Sequence, residues 1–414
     1  MIRILDLEDA KPLIARKTQR LSDAERVVEP ILKDVRERGD AALADYARKF
    51  DGLEGVALRV PAAECESAWA ALPPAFVSAV HVAARNIREY AETQLPKENW
   101  TGHPDGRRLG QIVRPLDSMG AYIPAGRYPL PSTLLMTAIP AQVAGVKTIC
   151  VASPRPSLEI LGGCAFLGVP NLFRMGGAQA IAAFAFGTET VPKVDRIVGP
   201  GNIYVAAAKK LIAGEVGIDF VAGPTEIVII AADADPAFLA ADMLAQAEHD
   251  TEASSILLTT SKTLAEAVAS EIERQLKTLP TAAVARAAIQ DGSAIVLVRS
   301  LHEAVEFSNR LAPEHLALHD ASLLPGVLHA GSVFLGATSP EAAGDYASGP
   351  NHVLPTSGAA RTRGGLSAAD FVKVISVQEL SREGLCRLTP AITALARAEG
   401  LEAHARSVEV RNRV

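Results

Sequence analysis

The chain has 414 residues, of which 49% are hydrophobic, and it carries a formal net charge of −6. That length predicts two or three domains with ample core. No block of basic residues stands out, so nucleic acid is a poor candidate partner, and no apolar run is long enough to span a bilayer. The four cysteines are scattered and the first ten residues lack the apolar core of a secretion signal, so we expect a cytoplasmic protein.

The first part of the chain is predicted to be helical, up to about residue 95. Ser22 and Glu25 have the spacing of a capping box, and apolar residues then recur at helical spacing from Val27 to Phe50. Residues 99–118 are polar and rich in glycine and proline, which is typical of a connector.

From Tyr122 onward, strand-like and helical segments alternate. The predicted strands cover residues 147–153, 171–175 and 195–198, and the predicted helices lie near 133–145, 156–167, 178–186 and 202–213. This alternation predicts a parallel or mixed sheet that is covered by helices on both faces.

The same alternation returns after Gly223. Strands are predicted at 227–231, 255–259, 294–298, 316–319 and 332–335, and helices near 236–249, 261–278 and 302–312. Two successive α/β units of similar size predict two related sandwich domains. The tail from Ser367 is predicted to be helical and is too short to bury a core alone, so we expect it to dock elsewhere, for example on a second subunit.

The segment from Gly344 to Thr356 is the first candidate site. It holds Asp345 and His352 in a run with two glycines, two prolines and little apolar bulk. Because glycine and proline fix the shape of the backbone, segments of this kind present polar side chains from a rigid scaffold. Asp345 could hold a metal if other donors lie nearby.

Gln246 and His249 lie three residues apart on a predicted helix that begins after Asp235. Side chains at this spacing share a face, so both could reach one ion. Taken alone, the segment favours a simpler interpretation, in which a histidine near a helix end is stabilised by the helix dipole.

Glu314 and His315 form an adjacent acid–imidazole pair, which suits proton transfer near neutral pH. The alternative is a solvated turn, and the pair alone favours it. In open α/β sheets, ligands sit at the carboxyl ends of strands, whereas this pair precedes its strand. His404 lies on the tail, where a lone histidine is more often a surface residue.

Three glycine-rich turns lie beside predicted strands or helix starts, at residues 122–126, 176–179 and 199–202. Glycines there let a phosphate approach backbone N–H groups at a helix start. None matches the Gly-x-Gly-x-x-Gly pattern, and close helix–strand packing explains the glycines about as well.

Taken together, these segments resemble the histidinol dehydrogenase family. The matches run in the family's order over nearly the whole chain, at residues 114–118, 135–141, 176–183, 199–202, 222–226, 246–250, 313–316, 344–356 and 400–404. Each motif is modest alone, but nine in order are highly specific and outweigh the simpler interpretations.

The resemblance implies an α/β fold of two incomplete Rossmann-like α/β/α domains with parallel or mixed sheets, plus small helical N- and C-terminal segments. The implied division is a helical segment at 1–22, a first α/β domain at 23–121 and 225–366 that carries the zinc and acid–base residues, an NAD-side domain at 122–224, and a helical tail at 367–414 that docks on the partner subunit.

The implied reaction is the four-electron oxidation of L-histidinol to L-histidine through L-histidinal, the last step of histidine biosynthesis. It uses NAD⁺ twice and one Zn²⁺ per subunit. The zinc ligands carried over from the family are Gln246, His249, Asp345 and His404. In the family the last comes from the other subunit, which implies a homodimer with shared active sites.

Glu314 and His315 are implied as the acid–base pair. The implied substrate contacts are Thr225, Gln246, His249, His315, Asp345, His352, Glu399 and His404. The implied NAD contacts are Tyr122, Gln179 and Asn202. The chain departs from the family pattern at Ala125, Thr225 and Phe220-Val221, which leaves the proposed zinc ligands and the acid–base pair untouched.

Three other functions compete with this interpretation. A related dehydrogenase could act on another small polar alcohol, such as a sulfonated diol, but the donor-rich set of residues favours histidinol. A zinc hydrolase would activate water directly and need no NAD. A non-catalytic metal-binding or assembly protein would keep its function when Glu314 is replaced by glutamine.

Overall fold

The computed structural model of the protein describes residues 1–14, 21–124 and 129–413, so Ala125 lies outside the described residues. In chain order, the strands are β1 (Arg3–Asp6), β2 (Asn99–Gly102), β3 (Arg107–Pro115), β4 (Ser118–Tyr122), β5 (Thr148–Ala152), β6 (Asn171–Phe173), β7 (Arg196–Val198), β8 (Gly217–Ile218), β9 (Glu226–Ile230), β10 (Ser254–Thr259), β11 (Ala294–Leu297), β12 (His315–Leu318), β13 (Ser332–Leu335) and β14 (Val372–Leu380). The α-helices are α1 (Lys11–Ile14), α2 (Leu21–Arg38), α3 (Asp40–Tyr46), α4 (Ala62–Ala71), α5 (Pro74–Thr93), α6 (Pro131–Ala144), α7 (Leu158–Leu167), α8 (Gly177–Phe186), α9 (Ile203–Ile212), α10 (Pro236–Ala247), α11 (Lys262–Gln275), α12 (Ala282–Asp291), α13 (Leu301–Leu311), α14 (Glu341–Tyr346), α15 (Arg382–Ala398) and α16 (Glu402–Glu409).

Two parallel sheets form the frame of the described residues. The larger has six strands in the order β1-β11-β10-β9-β12-β13. The smaller has five, in the order β6-β5-β4-β7-β8. A third, antiparallel sheet joins β14, β3 and β2. The predicted α/β class, with two Rossmann-like units, is confirmed.

Burial explains why the central strands could be predicted. Every residue of β9 is buried, as a strand in a parallel sheet covered on both faces must be. Asp235 caps the start of α10 by accepting a hydrogen bond from Ala237 N–H, and the helix buries Leu239 and Met243 against the sheet. The predicted strands and helices of both α/β units agree with the structure to within a few residues.

Three expectations outside these units are wrong in part. Residues 3–6 form an edge strand, not a helix, because they pair with β11. Residues 99–118 are not a connector, since β2, β3 and the start of β4 lie there. The tail is not wholly helical, because β14 pairs antiparallel with β3 along nine residues before the terminal helices begin.

The packing shows which sheet each segment covers. The helices between residues 21 and 93 contact helices of the five-stranded unit: α2 packs on α8 and α9, α4 on α7, and α5 on α6. The division implied by the resemblance places this segment in one domain with the six-stranded sheet instead. The proposed domain boundaries themselves stay a prediction.

Among the described residues, no single helix combines the length and apolarity needed to cross a membrane. The consecutive helices α4 and α5 meet those limits only as a pair, and they are bent by 111° relative to each other.

The two parallel sheets face each other with opposite ends of their strands. Thr225 and Glu314 precede β9 and β12, at the amino end of the six-stranded sheet, whereas Pro124 and Pro200 follow β4 and β7, at the carboxyl end of the five-stranded sheet. All four residues line one cavity. The rule that ligands sit at carboxyl ends of strands therefore applies to one sheet only.

Candidate active site

A cavity of about 1000 Å³ lies between the two sheets. Its wall includes seven of the predicted site residues: Asn202, Thr225, His249, Glu314, His315, Asp345 and His352. Residues from five separate segments of the chain thus converge on one space of the size that a small substrate and part of a cofactor need.

Asp345 is the centre of this convergence. Its Oδ2 lies 3.7 Å from His249 Nε2, and its Oδ1 lies 3.7 Å from His315 Nε2. Asp345 belongs to the last turn of α14, while His249 follows the C-terminus of α10. The sequence prediction that these residues share one site is consistent with this geometry.

Glu341 joins His249, His315 and Asp345 in one cluster, and the sequence analysis did not predict it. Its side chain is 2% exposed, and its Oε1 lies 3.6 Å from His315 Nδ1. Glu341 opens α14 and precedes Asp345 by four residues, so both acids lie on one helix face. That spacing was visible in the sequence and is the signal that could have found Glu341.

Three carboxylates therefore surround His315, which is itself only 3% exposed. Burial alone would lower the pKa of His315, but the neighbouring carboxylates raise it to about 10. Burial raises the pKa of Glu314 to about 7 and raises that of Glu341 as well. A buried excess of negative charge is costly, and a bound cation would relieve it.

The donor set of the cluster suits a metal ion. One ligand atom each from His249, Glu341 and Asp345 lies within 4.8 Å of the others. His249 is 39% exposed in its side chain, which leaves an open side, and His315 Nε2 is buried without a hydrogen-bond partner among the described residues. Nitrogen and oxygen donors without a thiolate are compatible with zinc.

Gln246 is fully buried beside the cluster. Its amide fits best with the nitrogen toward Glu341, 2.6 and 3.0 Å from the two carboxylate oxygens. In that orientation the amide oxygen accepts a hydrogen bond from the Thr225 hydroxyl at 2.5 Å. The role of Gln246 as a zinc ligand stays a prediction.

Glu314 is held in a fixed position. Its Oε2 accepts a hydrogen bond from Glu226 N–H at 3.0 Å and contacts the Thr225 hydroxyl. Ala312, two residues earlier, is buried with φ of +52°, a left-handed conformation that costs a non-glycine residue about 1–2 kcal/mol. Surrounding packing thus fixes the backbone that presents the Glu314–His315 pair.

His352 ties the Gly344–Thr356 segment to α6. Its Nδ1 donates to the backbone carbonyl of Asp345 at 2.7 Å, which leaves Nε2 to accept from the Thr133 hydroxyl at 3.2 Å. Burial lowers its pKa, which favours this neutral form. Gly349, with φ of +117°, passes so close to the Asn86 carbonyl that a Cβ would lie 2.8 Å from it. His352 therefore shapes the cavity wall while both its nitrogens are engaged.

Glu399 and His404 lie away from this cavity. Both are exposed, and neither contributes to its wall. They lie at the end of α15 and in α16, two helices that contact each other while α15 contacts β14. Within one chain, the structure does not bring these two residues to the other predicted ligands.

The predicted NAD contacts lie at the carboxyl end of the five-stranded sheet. Tyr122 ends β4, and its hydroxyl accepts a hydrogen bond from Gly177 N–H at 3.1 Å. Gln179 is buried in the first turn of α8. Asn202 caps α9 by accepting from Tyr204 N–H and lines the cavity. Their contacts with NAD stay a prediction.

Comparisons with known proteins identify one family. Residues 14–412 match the family model described as histidinol dehydrogenase. The chain is 47% identical to the histidinol dehydrogenase of Geobacter metallireducens, with 99% of this chain and 98% of the relative covered. It is 49% identical to the histidinol dehydrogenase of Geobacillus kaustophilus, with 93% of each chain covered.

The structure also superposes on the crystal structure of histidinol dehydrogenase from Elizabethkingia anophelis. The TM-score is 0.95 at 38% identity, and 99% of this chain and 98% of that chain are covered. Sequence and structure agree over nearly the whole length, and the chain belongs to the histidinol dehydrogenase family.

Proposed function

We propose that this chain oxidises L-histidinol to L-histidine with NAD⁺ in a zinc-dependent reaction, in the cytoplasm. The observation that carries the proposal is the buried Glu314–His315 pair beside His249 and Asp345, at the edge of a cavity between two Rossmann-like units. Family membership gives the substrate, and the residue types supply the chemistry that it requires.

Zinc would be held by Gln246, His249 and Asp345 of one chain and by His404 of a second copy. When bound, the ion would orient the imidazole and amine of histidinol as a template. Glu341 extends this donor set from the same helix as Asp345, and it accepts hydrogen bonds from the Gln246 NH₂ group in the orientation that fits best.

In its neutral form His315 is placed to take the proton of the substrate hydroxyl. Burial alone would lower its pKa, but the carboxylates beside it raise that pKa, and a cation bound among them would offset their charge and favour the neutral form. His315 Nε2 is buried without a partner among the described residues and faces Asp345, while Nδ1 lies 3.3 Å from the Glu226 carbonyl. NAD⁺ would accept one hydride from the substrate carbon in each of two oxidations, so four electrons leave as two NADH. A positioned base of this kind contributes about 10²–10⁴-fold to the rate.

Glu314 is suited to activate the water that the second oxidation consumes. The aldehyde must add water before a second hydride can leave, and a carboxylate can take the proton of that water. Burial raises the pKa of Glu314 to about 7, so its ionised form is a stronger base than an exposed glutamate. Thr225 and Glu226 N–H hold the carboxylate in place.

We infer that the active unit is a homodimer with shared sites. Glu399 and His404 are exposed on terminal helices that leave Leu395, Leu401 and Val410 on the surface, at 66%, 44% and 53% exposure. A second copy docked on these helices would bury the apolar side chains and bring its His404 to the cavity.

The test is the number of NADH molecules formed per L-histidinol consumed, on protein of known metal content, before and after chelation. We expect two NADH per substrate, with activity that is lost on chelation and restored by Zn²⁺. No NADH from histidinol, with zinc bound, would contradict the proposal and direct a screen to other amino alcohols and diols. Hydrolysis of a substrate without NADH formation would instead indicate a zinc hydrolase.

A further inference from the structure

The five-stranded sheet has the strand order of a dinucleotide-binding unit. From β4 the chain runs to β5 and β6 on one side and then to β7 and β8 on the other, so a topological switch point lies between β4 and β7. In such sheets the nucleotide crosses the carboxyl ends of the strands, and an acidic residue after the second strand binds the ribose hydroxyls. Here the second strand, β5, is followed by Ser153-Pro154-Arg155-Pro156, which contains no acid.

Asp51 reaches this position from a distant part of the chain. It ends the π-helical turn Ala47–Asp51, where Leu53 N–H donates to the Ala47 carbonyl at 3.1 Å. The chain then runs along the edge strand β6, where Arg174 N–H donates to the Leu58 carbonyl at 2.7 Å and Arg59 forms a bridge with Phe173. These contacts fix Asp51 at the end of the sheet that carries the predicted NAD contacts.

The surroundings of Asp51 are those of a nucleotide site. A Cβ on Gly176 would lie 3.2 Å from Asp51 Oδ1 and 2.8 Å from Pro154 Cβ, so these three residues meet at one point. Gly176 and Gly177 open α8, and Gly177 N–H donates to the hydroxyl of Tyr122. Asp51 is therefore a neighbour of two predicted NAD contacts, beside a turn without side chains.

One oxygen of the Asp51 carboxylate, Oδ2, is buried and has no hydrogen-bond partner among the described residues. The hydroxyl of Ser153, fully buried at the end of β5, is also without one in the described part of the chain. Buried polar atoms are nearly always paired, and an unpaired one indicates a missing ligand or water. A ribose diol offers two O–H donors at once.

We propose that Asp51 accepts hydrogen bonds from the adenosine ribose hydroxyls of NAD⁺ and that it excludes NADP⁺. The assignment rests on the proposed function, since it refines the cofactor subsite. A 2′-phosphate would bring further negative charge against the carboxylate and remove a donor. Burial raises the pKa of Asp51, and the charge of the exposed Arg155 opposes that shift, so Arg155 is close enough to pair with a 2′-phosphate once Asp51 is neutral.

The experiment measures binding of NADH and NADPH separately, by nucleotide fluorescence on zinc-loaded full-length protein without histidinol. In Asp51→Asn we expect the Kd of NADH to rise about ten-fold or more, as for a lost hydrogen bond to a charged group, and the preference over NADPH to collapse. Adding Arg155→Ala should weaken NADPH again. Asp51→Glu keeps the charge and should keep NADPH excluded. If the asparagine variant does not fold, the glutamate variant still tests whether a negative charge at this position excludes NADPH.

Asp45→Asn is the matched control, because Asp45 is an acid on the adjacent helix with its side chain 48% exposed and paired with Arg38. It should bind both nucleotides as the parent does. If the parent binds NADH and Asp51→Asn keeps the parent's NADH preference, the role of Asp51 is refuted while the proposed function stands. If the parent binds NADH but does not oxidise histidinol, the proposed substrate is wrong. The ratio of the Kd values for NADPH and NADH in the variants still tests the role of Asp51. If the parent binds neither nucleotide, both proposals are refuted.

Discussion

The Glu341 carboxylate and the Gln246 amide face each other inside the buried cluster, with the amide nitrogen 2.6 and 3.0 Å from the two carboxylate oxygens. Glu341 is 2% exposed and Gln246 is fully buried, so neither can exchange this contact for water. A glutamine that binds a cation does so through its oxygen, and its NH₂ group then needs an acceptor. Glu341 is that acceptor, and it therefore orients the predicted ligand.

Replacing Glu341 with glutamine should weaken zinc binding about 10- to 100-fold, the usual effect of removing a partner that orients a metal ligand. The substitution preserves shape but removes the negative charge and leaves only one of the two acceptor oxygens that face the NH₂ group of Gln246. Zinc affinity is measured by competition with a chromophoric chelator. Glu306→Gln is the control, because Glu306 is 63% exposed and pairs with His302 on its own helix. Equal zinc affinity in both variants would show that Glu341 does not support the site.

Replacing Glu314 with glutamine should slow the oxidation of histidinal about 10²–10⁴-fold while zinc stays bound, because this step needs a base to activate water. Glutamine still accepts a hydrogen bond from Glu226 N–H, so the local structure should persist. The two half-reactions are measured separately, starting from histidinol or from histidinal. Histidinal oxidation at the parent rate would contradict the role given to Glu314.

Much of the fold could be predicted because its strands carry their own signal. Strands such as β9 and β10 each contain a short unbroken apolar run that is buried, as in other buried parallel strands. In contrast, β3 and β14 contain no buried residue and mix polar with apolar side chains, and they pair with each other over nine residues. Such pairing between distant segments leaves little trace in local sequence.

The same distinction applies to the site. Gln246 and His249, or Glu314 and His315, are close in sequence, and the pattern of each pair suggested chemistry. Glu341 was missed because Ser339-Pro340-Glu341 looks like an ordinary start of a helix. Its spacing of four residues from Asp345 was a usable signal, but the contact of its carboxylate with His315 is visible only in the three-dimensional structure. The family resemblance predicted the roles of the residues in the cluster, and the structure showed that a further carboxylate belongs to it.

Shared active sites predict that two inactive variants complement each other. In a mixed dimer of His404→Ala and Glu314→Gln chains, one site combines an intact Glu314 with an intact His404 from the other copy. Random exchange makes about half of the dimers mixed, so about a quarter of the parent activity should return. Each variant alone is the control, and exchange is verified with differently tagged chains. No recovery after verified exchange would show that each site is built within one chain.

A buried ion pair holds the turn that presents Asn202. Lys209 and Asp219 form a salt bridge with side-chain exposures of 2% and 0%. Lys209 donates to the Gly199 carbonyl at 3.0 Å, while Asp219 accepts from Gly199 N–H at 2.8 Å. Gly199 has φ of +109°, and a Cβ there would collide with the Tyr122 carbonyl. The pair thus fixes both polar groups of the one residue on which the turn depends.

Replacing Lys209 with methionine should lower the free energy of unfolding by about 3–5 kcal/mol, because it leaves the Asp219 charge buried without its partner. Adding Asp219→Asn should recover part of this loss, since it removes the unpaired charge. Lys210→Met is the matched control: Lys210 pairs with Glu25 at the surface and is 54% exposed, so its loss should cost less than about 1 kcal/mol. The free energy of unfolding in urea is measured for the parent and the three variants, and NADH titration reports whether the turn still presents Asn202. Equal stability of the two lysine variants would mean that the buried pair does not hold this turn.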